Sequence, residues 1–495
     1  MTRSRRLPHR RPQAWRHSWH RALLTMAAPA VVVLAAAAPA AAAEAPRTLR
    51  LDFFHTGTAS GEIFSFDRLV VEPLPFPGNP DRPIDDSNLG KYLFEVRQPD
   101  GDPDGGELLY SRGFASIYGE WETTGEARER HRTFHESLRF PRPAGPVEVT
   151  IKKRDPQNAF QEIWTTRVDP ADMLTDVSEP PALELLEIQK NGDPAHKVDL
   201  LLLGDGYTAG ECPQFLGQAR RLTEALFAVS PFRERRGDFN VWGLCPPAAE
   251  SGVSRPSTGI HRRSPARATY DAFRSERYVL SFDNRAWREV AARAPYDFVE
   301  ILVNNETYGG GGIFGLYSTA AARSDWAEYL FLHEFGHHFA GLADEYYVSP
   351  VAYEIPEERV EPWEINATVH PEALKWGDLV EEGVPVPTPW PNAEFESHAE
   401  RTQVRRQEIR AAELPESAMS ELFREQQAFE TELLGSAEYA GKVGAFEGAN
   451  YAPRGSWRPQ IDCIMFSRNE VPFCRVCQRG IERVIDLYTA AAPAR

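Results

Sequence analysis

Two histidines and a glutamate share one short, mostly apolar segment, His333-Glu334-Phe-Gly-His337. On a helix, residues four positions apart project from the same face, so the two imidazoles can bind one metal ion, and zinc is the ion this pair favours. Glu334 stands beside the first histidine, where its carboxylate can take a proton from a zinc-bound water. The spacing therefore predicts a hydrolytic zinc site, and the alternative is a buried helix whose histidines are only hydrogen-bonded.

A catalytic zinc ion needs a third protein ligand and keeps its fourth position for water. Gly341 is predicted to end the helix in the left-handed conformation, after which the chain can turn back toward the metal. Asp344 then has the shorter reach and is the predicted third ligand, with Glu345 as the alternative. His338 is rotated by about 100° from His337 around the helix and is not expected to bind the same ion.

The elements that must hold this helix have the pattern of an α/β module. An apolar run at 197–203 predicts a buried strand, and 240–244 and 297–303 predict two more. Thr208 and Glu211 are spaced as a capping box and predict the start of a helix. Strands and helices therefore alternate from about residue 196 to the end of the chain.

A proline-rich, charged stretch at 350–442 interrupts this module and is interpreted as an insertion. Its clearest element is an amphipathic helix at 416–434, followed by Gly435. The apolar stripe of that helix is expected to pack against the rest of the module. The insertion is therefore predicted to be mostly helical.

Short alternating runs separated by proline, glycine and aspartate turns fill the first part of the chain. This pattern is typical of an antiparallel β-sandwich, predicted here for residues 44–175. An acidic, proline-bearing stretch at 176–195 is predicted to be the linker to the catalytic domain at 196–495.

Residues 1–43 contain seven arginines and no acidic residue, and an apolar stretch fills positions 22–43. The pattern predicts a secretory signal peptide cleaved near Ala43, with an uncleaved membrane anchor as the alternative. The mature protein is then expected to be secreted, extracellular or periplasmic, with no membrane span.

The composition, 42% hydrophobic and 26% charged, is that of a soluble globular protein and excludes a collagen or a multi-span membrane protein. Removing the seven arginines takes the formal net charge from −17 to −24. A chain this acidic repels phosphate backbones, so nucleic acid is excluded as an expected partner.

Export makes the five cysteines candidates for disulfides, although an odd number leaves at least one out. Cys474 and Cys477 form a CxxC pair, and Cys463 lies nearby. A structural zinc site needs four ligands and these supply three, so no metal is expected there. The pairing of the cysteines stays open.

Several segments together resemble the M64 family of metallopeptidases, often called IgA peptidases and grouped with the metzincins. The resemblance runs from about Lys197 to Ile481 and is most specific in the helix with the two histidines. The other matching segments are Leu203–Ala209, Phe239–Val241, Ser251–Val253, Val303–Gly312, Gly341–Tyr346, Val443–Gly448, Cys463–Met465 and Phe473–Cys477.

The resemblance departs from the metzincin pattern at one position. Metzincins commonly place the third ligand six residues after the second histidine, where this chain has Ala343. Gly341 and Asp344 both come one residue late, which fits a turn that is one residue longer.

The resemblance also implies roles for two further segments. Met465 is expected in a turn beneath the metal ligands. Tyr308, Gly309 and Gly310 are expected to form an extended rim that pairs with the substrate backbone, the alternative being a flexible loop.

These observations predict a mixed α+β and α/β chain, an antiparallel β-sandwich followed by a metzincin-like zinc peptidase domain with a helical insertion. The expected function is that of a secreted endopeptidase that hydrolyses protein or peptide bonds by zinc-activated water, with Glu334 as general base. The alternative is a non-catalytic binding or adhesion protein built on a peptidase-like scaffold.

Overall fold

The computed structural model describes residues 45–99, 106–354 and 359–491. The predicted signal peptide lies outside these residues. Within the described ranges, no helix is both long enough and apolar enough to cross a membrane.

The N-terminal part is built from two antiparallel sheets packed face to face. One sheet has the order β2-β1-β5 and the other has the order β4-β3-β6-β7. Alternate residues of both sheets meet in a separate apolar core that includes Leu51, Phe94 and Val149. The strands are β1 (Arg47–Thr58), β2 (Gly61–Pro75), β3 (Tyr92–Arg97), β4 (Leu108–Phe114), β5 (Arg132–Pro141), β6 (Val147–Arg154) and β7 (Phe160–Val168).

The second part is built around a six-stranded mixed sheet with the order β14-β15-β13-β9-β10-β8. The four central strands are parallel, and β8 and β14 are antiparallel edges. These strands are β8 (Leu186–Gln189), β9 (Val198–Asp205), β10 (Phe239–Leu244), β13 (Phe298–Val303), β14 (Gly310–Ile313) and β15 (Tyr317–Ala321). Two small hairpins are formed by β11 (Ala268–Thr269) with β12 (Leu280–Ser281) and by β16 (Phe446–Ala449) with β17 (Ala452–Arg458).

The central strand β9 is buried along its whole length, as its continuous apolar run predicts for a parallel sheet. The strands predicted at 240–244 and 297–303 are its two neighbours in the sheet. The predicted capping box at Thr208 and Glu211 forms, immediately before α3. The α-helices of the described residues are α1 (Ile117–Trp121), α2 (Glu126–Glu129), α3 (Cys212–Leu226), α4 (Asn284–Ala291), α5 (Ala327–Ala340), α6 (Asn392–Ala411), α7 (Glu416–Gly435) and α8 (Arg475–Thr489).

The predicted insertion is helical only in its second half. Helices α6 and α7 pack against each other, whereas the described residues before α6, from 359 onward, contain only short 3₁₀ turns. Met419, Leu422 and Phe423 of α7 are buried in the core of the catalytic part, as its apolar stripe predicts.

Part of the predicted linker is regular structure, because residues 186–189 form the edge strand β8. The preceding segment is anchored to the sandwich, since the Val71 amide donates to the Asp176 carbonyl at 2.8 Å. The two parts are also joined directly. The Arg139 guanidinium lies 3.6 Å from the centre of the Tyr296 ring, and the Ala115 amide donates to the Phe314 carbonyl at 2.8 Å.

A buried ion pair stabilises the sandwich beside this junction. Arg50 and Asp52 are almost inaccessible to solvent and meet at 2.9 Å, and the Ser137 hydroxyl donates to Asp52 at 2.5 Å. Burial alone would raise the pKa of Asp52, but Arg50 and Ser137 hold it below its ordinary value. The ionised form of Asp52 is therefore the one that the fold stabilises.

We expect Asp52→Asn to destabilise the protein by about 3 kcal/mol, because it leaves the buried Arg50 without its closest counter-charge. Because the folded-state pKa of Asp52 is depressed, its contribution to stability is present near neutral pH and is lost as the pH falls through that pKa. Thermal melts between pH 3 and 7 measure both effects. Glu425→Gln, which removes the exposed ion pair with Arg405, is the control and should change stability by less than about 1 kcal/mol.

Candidate active site

Helix α5 carries both histidines and ends where its glycine predicts. Gly341 adopts φ +57° and ψ +42°, in the left-handed region, and its amide donates to the His337 carbonyl at 3.0 Å. A Cβ at this position would lie 2.6 Å from the Trp363 ring, so a side chain is excluded on packing grounds as well. The turn reverses the chain and sends residues 342–346 back along the helix.

Three donor atoms meet at the point to which this turn leads. The His333 and His337 Nε2 atoms are 3.2 Å apart, and Asp344 Oδ1 lies 3.0 Å from the first and 3.2 Å from the second. All three side chains line an open cavity. The structure thus groups Asp344 with the two histidines, as the shorter reach predicts.

Both histidines are oriented by backbone carbonyls. His333 Nδ1 lies 3.0 Å from the Ile464 carbonyl oxygen, and His337 Nδ1 lies 2.5 Å from the Leu342 carbonyl oxygen. Because a carbonyl can only accept, each Nδ1 carries the proton of the neutral ring. Each Nε2 therefore presents a lone pair to the shared point, which is the tautomer that a metal ligand requires.

Asp344 is held by a different donor. The Tyr451 hydroxyl donates to its Oδ2, whereas its buried Oδ1 has no hydroxyl or amide donor and faces the two imidazoles. Burial alone would raise the pKa of Asp344, but attraction to His337 and His333 holds it well below its ordinary value. Burial alone would lower the pKa of His337, but the Asp344 carboxylate raises it to about 9, so the shared point attracts positive charge, either a proton on Nε2 or a metal ion in its place.

Two neighbouring residues are directed elsewhere. His338 donates from Nδ1 to the Ile313 carbonyl and accepts the Val299 amide on Nε2, both at 3.1 Å, and burial lowers its pKa to about 3. Glu345 turns away from the histidines and accepts the Asn366 amide at 3.0 Å. Neither side chain reaches the group formed by Asp344.

The Glu334 side chain lies between α5 and the edge strand β14. A Cβ built on Gly310 would be 2.8 Å from Glu334 Cγ and 3.0 Å from its Oε1, so the glycine leaves the room that the carboxylate occupies. Burial raises the pKa of Glu334 above its ordinary value. The carboxylate lines the same cavity as the three donor atoms.

Met465 lies against α5, at Gly336. Its side chain is fully buried, and a Cβ on Gly336 would lie 2.9 Å from its sulfur. Gly336 lies on the helix between His333 and His337. The turn that contains Met465 also supplies the Ile464 carbonyl that orients His333.

The predicted rim at Tyr308, Gly309 and Gly310 stays a prediction, but the backbone of Gly310 already forms hydrogen bonds within the chain. The Gly310 amide donates to the Arg277 carbonyl and its own carbonyl accepts the Val279 amide, both at 3.0 Å. The Tyr308 side chain is buried against Phe423. At Gly310, residues 277–279 therefore occupy the position that the prediction assigns to the substrate backbone.

A cavity of about 610 Å³ opens in front of these residues, and the sandwich forms one of its walls. No motif in the N-terminal sequence predicts that the sandwich lines this cavity, because its residues reach the site only through contacts with distant parts of the chain. From the catalytic part the cavity is lined by His333, Glu334, His337 and Asp344, and from the N-terminal part by Lys91, Gly119, Glu120 and Arg154.

The polar groups of the cavity are linked in two short networks. On the sandwich side, the Tyr353 hydroxyl donates to Glu120 at 2.7 Å, and burial raises the pKa of Glu120. On the catalytic side, Arg277 donates to the Tyr346 hydroxyl at 3.1 Å. The cavity therefore offers both donors and acceptors to a bound polar chain.

Two histidines and a carboxylate around one point, with a further carboxylate beside them in an open cavity, form the donor set of a hydrolase site. The sequence matches the family model IgA Peptidase M64 over residues 186–485 and the model Peptidase M64 N-terminus over residues 42–165. The first match covers more than half of the chain, and the chain belongs to the M64 family of peptidases. No curated protein matches the sequence.

Membership of this family confirms the resemblance found in the sequence and makes the chain a peptidase, with protein as its substrate class. The N-terminal match coincides with the sandwich that forms one wall of the cavity. M64 peptidases are metallopeptidases, and the group formed by His333, His337 and Asp344 is a candidate for the metal.

We expect Gly312→Ala to disable the site. A Cβ there would overlap the Glu334 carbonyl oxygen and lie 2.8 Å from His337 Cβ, so β14 and α5 must separate. A displacement of about 1 Å costs on the order of 100-fold in activity. The matched control is Gly217→Ala in α3, where nothing lies within 4 Å of the new methyl group and stability should rise by up to about 1 kcal/mol. Full peptidase activity of the Gly312 variant would contradict the described packing of β14 on α5.

Proposed function

We propose that this protein is a secreted, zinc-dependent endopeptidase of the metzincin type, with Glu334 as general base. The observation that carries the proposal is the convergence of the two Nε2 atoms and Asp344 Oδ1 on one point beside the Glu334 carboxylate. A binding protein that only used the scaffold would not need Glu334 in the cavity.

The donor set fits zinc. A tetrahedral zinc ion with bonds of about 2.0–2.1 Å keeps its donors about 3.3–3.4 Å apart. The three distances between the donor atoms here are 3.0, 3.2 and 3.2 Å. Two neutral imidazoles and one carboxylate are also ligands that zinc accepts in catalytic sites, and the unsatisfied Asp344 Oδ1 needs a cation.

When bound, zinc supplies a Lewis acid that polarises the scissile carbonyl and acidifies water. Glu334 takes the proton of the attacking water and passes it to the departing amine. Burial raises the pKa of Glu334, which brings the carboxylate closer to the neutral range in which this proton transfer works best. Arg277 and the Tyr346 hydroxyl line the same cavity and are candidate donors to the carbonyl oxygen of the substrate.

The metzincin-type arrangement is supported by three features of α5 and its surroundings. Gly341 turns the chain after the second histidine, Met465 lies against the inner side of the helix, and β14 runs antiparallel along the outer edge of the sheet beside Glu334. The site therefore combines a turn, a methionine and an edge strand around one metal-binding helix.

Secretion is supported by the predicted signal peptide and by a disulfide. Cys212 and Cys245 are bonded, across a sequence separation of 33 residues. Disulfides of this kind persist in oxidising compartments and are rare in the cytosol. The bond connects the start of α3 to the end of β10.

We expect Glu334→Gln to keep the metal and lose most hydrolysis, because the ligands remain and the base is gone. A loss of at least 100-fold in kcat is the size that one general base contributes. Casein or a peptide library, with and without a chelator, is the substrate, and metal is counted in the same samples. Unchanged turnover would remove the proposed base, and chelator-resistant cleavage would remove the metal mechanism.

We expect Asp344→Ala to lose the metal of the histidine site together with activity. Tyr451→Phe should weaken that metal by about 10–100-fold, because it removes only the hydrogen bond that orients Asp344. Dialysis against graded chelator concentrations, followed by metal analysis, ranks the variants. Tyr439→Phe, at a tyrosine that does not line the cavity, is the control and should match the wild type. Normal metal retention in Asp344→Ala would overturn the assignment of the third ligand.

A further inference from the structure

A second group of metal-binding side chains lies directly behind the candidate active site. The Glu345 carboxylate and the sulfurs of Cys463, Cys474 and Cys477 lie within 4.8 Å of one another, and all four residues are buried. Three thiols alone are one ligand short of a structural site. The fourth donor in the cluster is Glu345, which precedes Cys463 by more than one hundred residues in the sequence.

Three distances within this cluster are close to those of a tetrahedral metal site. Tetrahedral zinc with bonds of about 2.3 Å to sulfur and 2.0–2.2 Å to oxygen keeps two sulfurs about 3.8 Å apart, and a sulfur and an oxygen about 3.6 Å apart. Cys463 and Cys477 Sγ are 4.0 Å apart, and Glu345 Oε1 lies 3.7 Å from Cys474 Sγ and 3.3 Å from Cys477 Sγ.

Backbone amides around the cluster are directed at two of its three sulfurs. The Cys474 amide points at Cys463 Sγ at 3.1 Å, and the Met465 amide points at the same sulfur at 3.5 Å. The Cys477 amide points at Cys474 Sγ at 3.4 Å, which makes Cys474 the N-cap of α8. Amide donors directed at sulfur stabilise negative charge on it, as they do around bound metals.

Two buried polar groups flank the cluster. Glu345 Oε2 is fully buried and has no hydrogen-bond donor. Arg458 is also fully buried, and its guanidinium donates to backbone carbonyls, including that of Gly448 at 2.6 Å. A zinc ion would satisfy the Glu345 carboxylate, and its complex with three thiolates and one carboxylate has a net negative charge that Arg458 would partly balance.

A disulfide is the competing fate of these cysteines. The same structure contains a disulfide between Cys212 and Cys245, whereas Cys463, Cys474 and Cys477 are three separate sulfurs. Joining any two would use only two of the three sulfurs and would leave the third thiol and the Glu345 carboxylate outside the bond. A four-ligand site uses all three sulfurs and the carboxylate.

We propose that Glu345, Cys463, Cys474 and Cys477 bind a second zinc ion, with a structural role. The ion joins the turn that follows Asp344, the turn that contains Met465 and the start of α8. It thereby fixes the Ile464 carbonyl that orients His333 and the backbone that carries Asp344. The site is closed to substrate, since its four ligands fill a tetrahedral shell and none of them lines the cavity.

The test counts metal in the full chain. We expect two zinc ions per wild-type chain, and one in the double variant His333→Ala/His337→Ala. Cobalt introduced into that double variant should show an intense sulfur-to-cobalt charge-transfer absorption, which histidine and carboxylate ligands do not produce. This measurement leaves the cysteines intact and does not depend on the folding of a cysteine variant.

Cys474→Ser/Cys477→Ser should reduce the zinc count from two to one and lower the melting temperature. The matched control, Cys212→Ser/Cys245→Ser, also removes two cysteines and should keep both ions. Thiol titration of the native wild type should find the three cysteines protected until a strong chelator is added.

Three results would overturn the proposal: a disulfide among Cys463, Cys474 and Cys477 in non-reducing peptide mapping, a histidine double variant without metal, or a cobalt spectrum without sulfur absorption. A count of one zinc ion in both the wild type and the histidine double variant would have a different meaning. It would support the cysteine site and contradict the histidine site, so the two proposals fail separately.

Discussion

The left-handed turn at Gly341 is the constraint on which the geometry of the candidate active site depends. It ends α5 two residues after His338, at Ala340, and reverses the chain, so that Asp344 meets the two imidazoles and Glu345 points to the opposite side. In an extended backbone, successive side chains project to opposite faces. A helix that continued by one more turn would carry Asp344 away from both histidines.

The features of this molecule that can be predicted from the sequence are short-range patterns. The histidine spacing, the glycine that ends α5 and the apolar run of β9 are local features, and the structure has them where the sequence predicts them. The family match confirms the resemblance that these patterns suggest. Whether Asp344 binds metal stays a prediction, although the distances favour it.

The rest could not be predicted because it depends on contacts between distant parts of the chain. The three neighbouring cysteines alone do not predict a metal site. The fourth donor of that buried group, Glu345, is far from them in sequence. The pairing of Gly310 with residues 277–279 also lacks a local signal, because the two segments are about thirty residues apart and no sequence pattern links them. The sandwich wall of the cavity is the largest such omission.

The sandwich wall of the cavity places the N-terminal domain at the candidate active site. Glu120 and Lys91 line the same cavity as the histidines, and a backbone hydrogen bond joins Ala115 to the residue that follows β14. The sandwich is therefore a component of the cavity that holds the two histidines. Differences in its loops would alter which polypeptides fit without any change on α5.

The carbonyl that orients His333 belongs to Ile464, and the helix that packs behind it, α8, runs to Thr489. A nascent chain that has been synthesised only as far as α7 contains both histidines and Asp344, but it lacks the acceptor that selects the binding tautomer of His333. In the proposed mechanism, such an unfinished chain would hydrolyse peptide bonds poorly. The order of synthesis makes the last segment the one that completes the proposed catalytic centre.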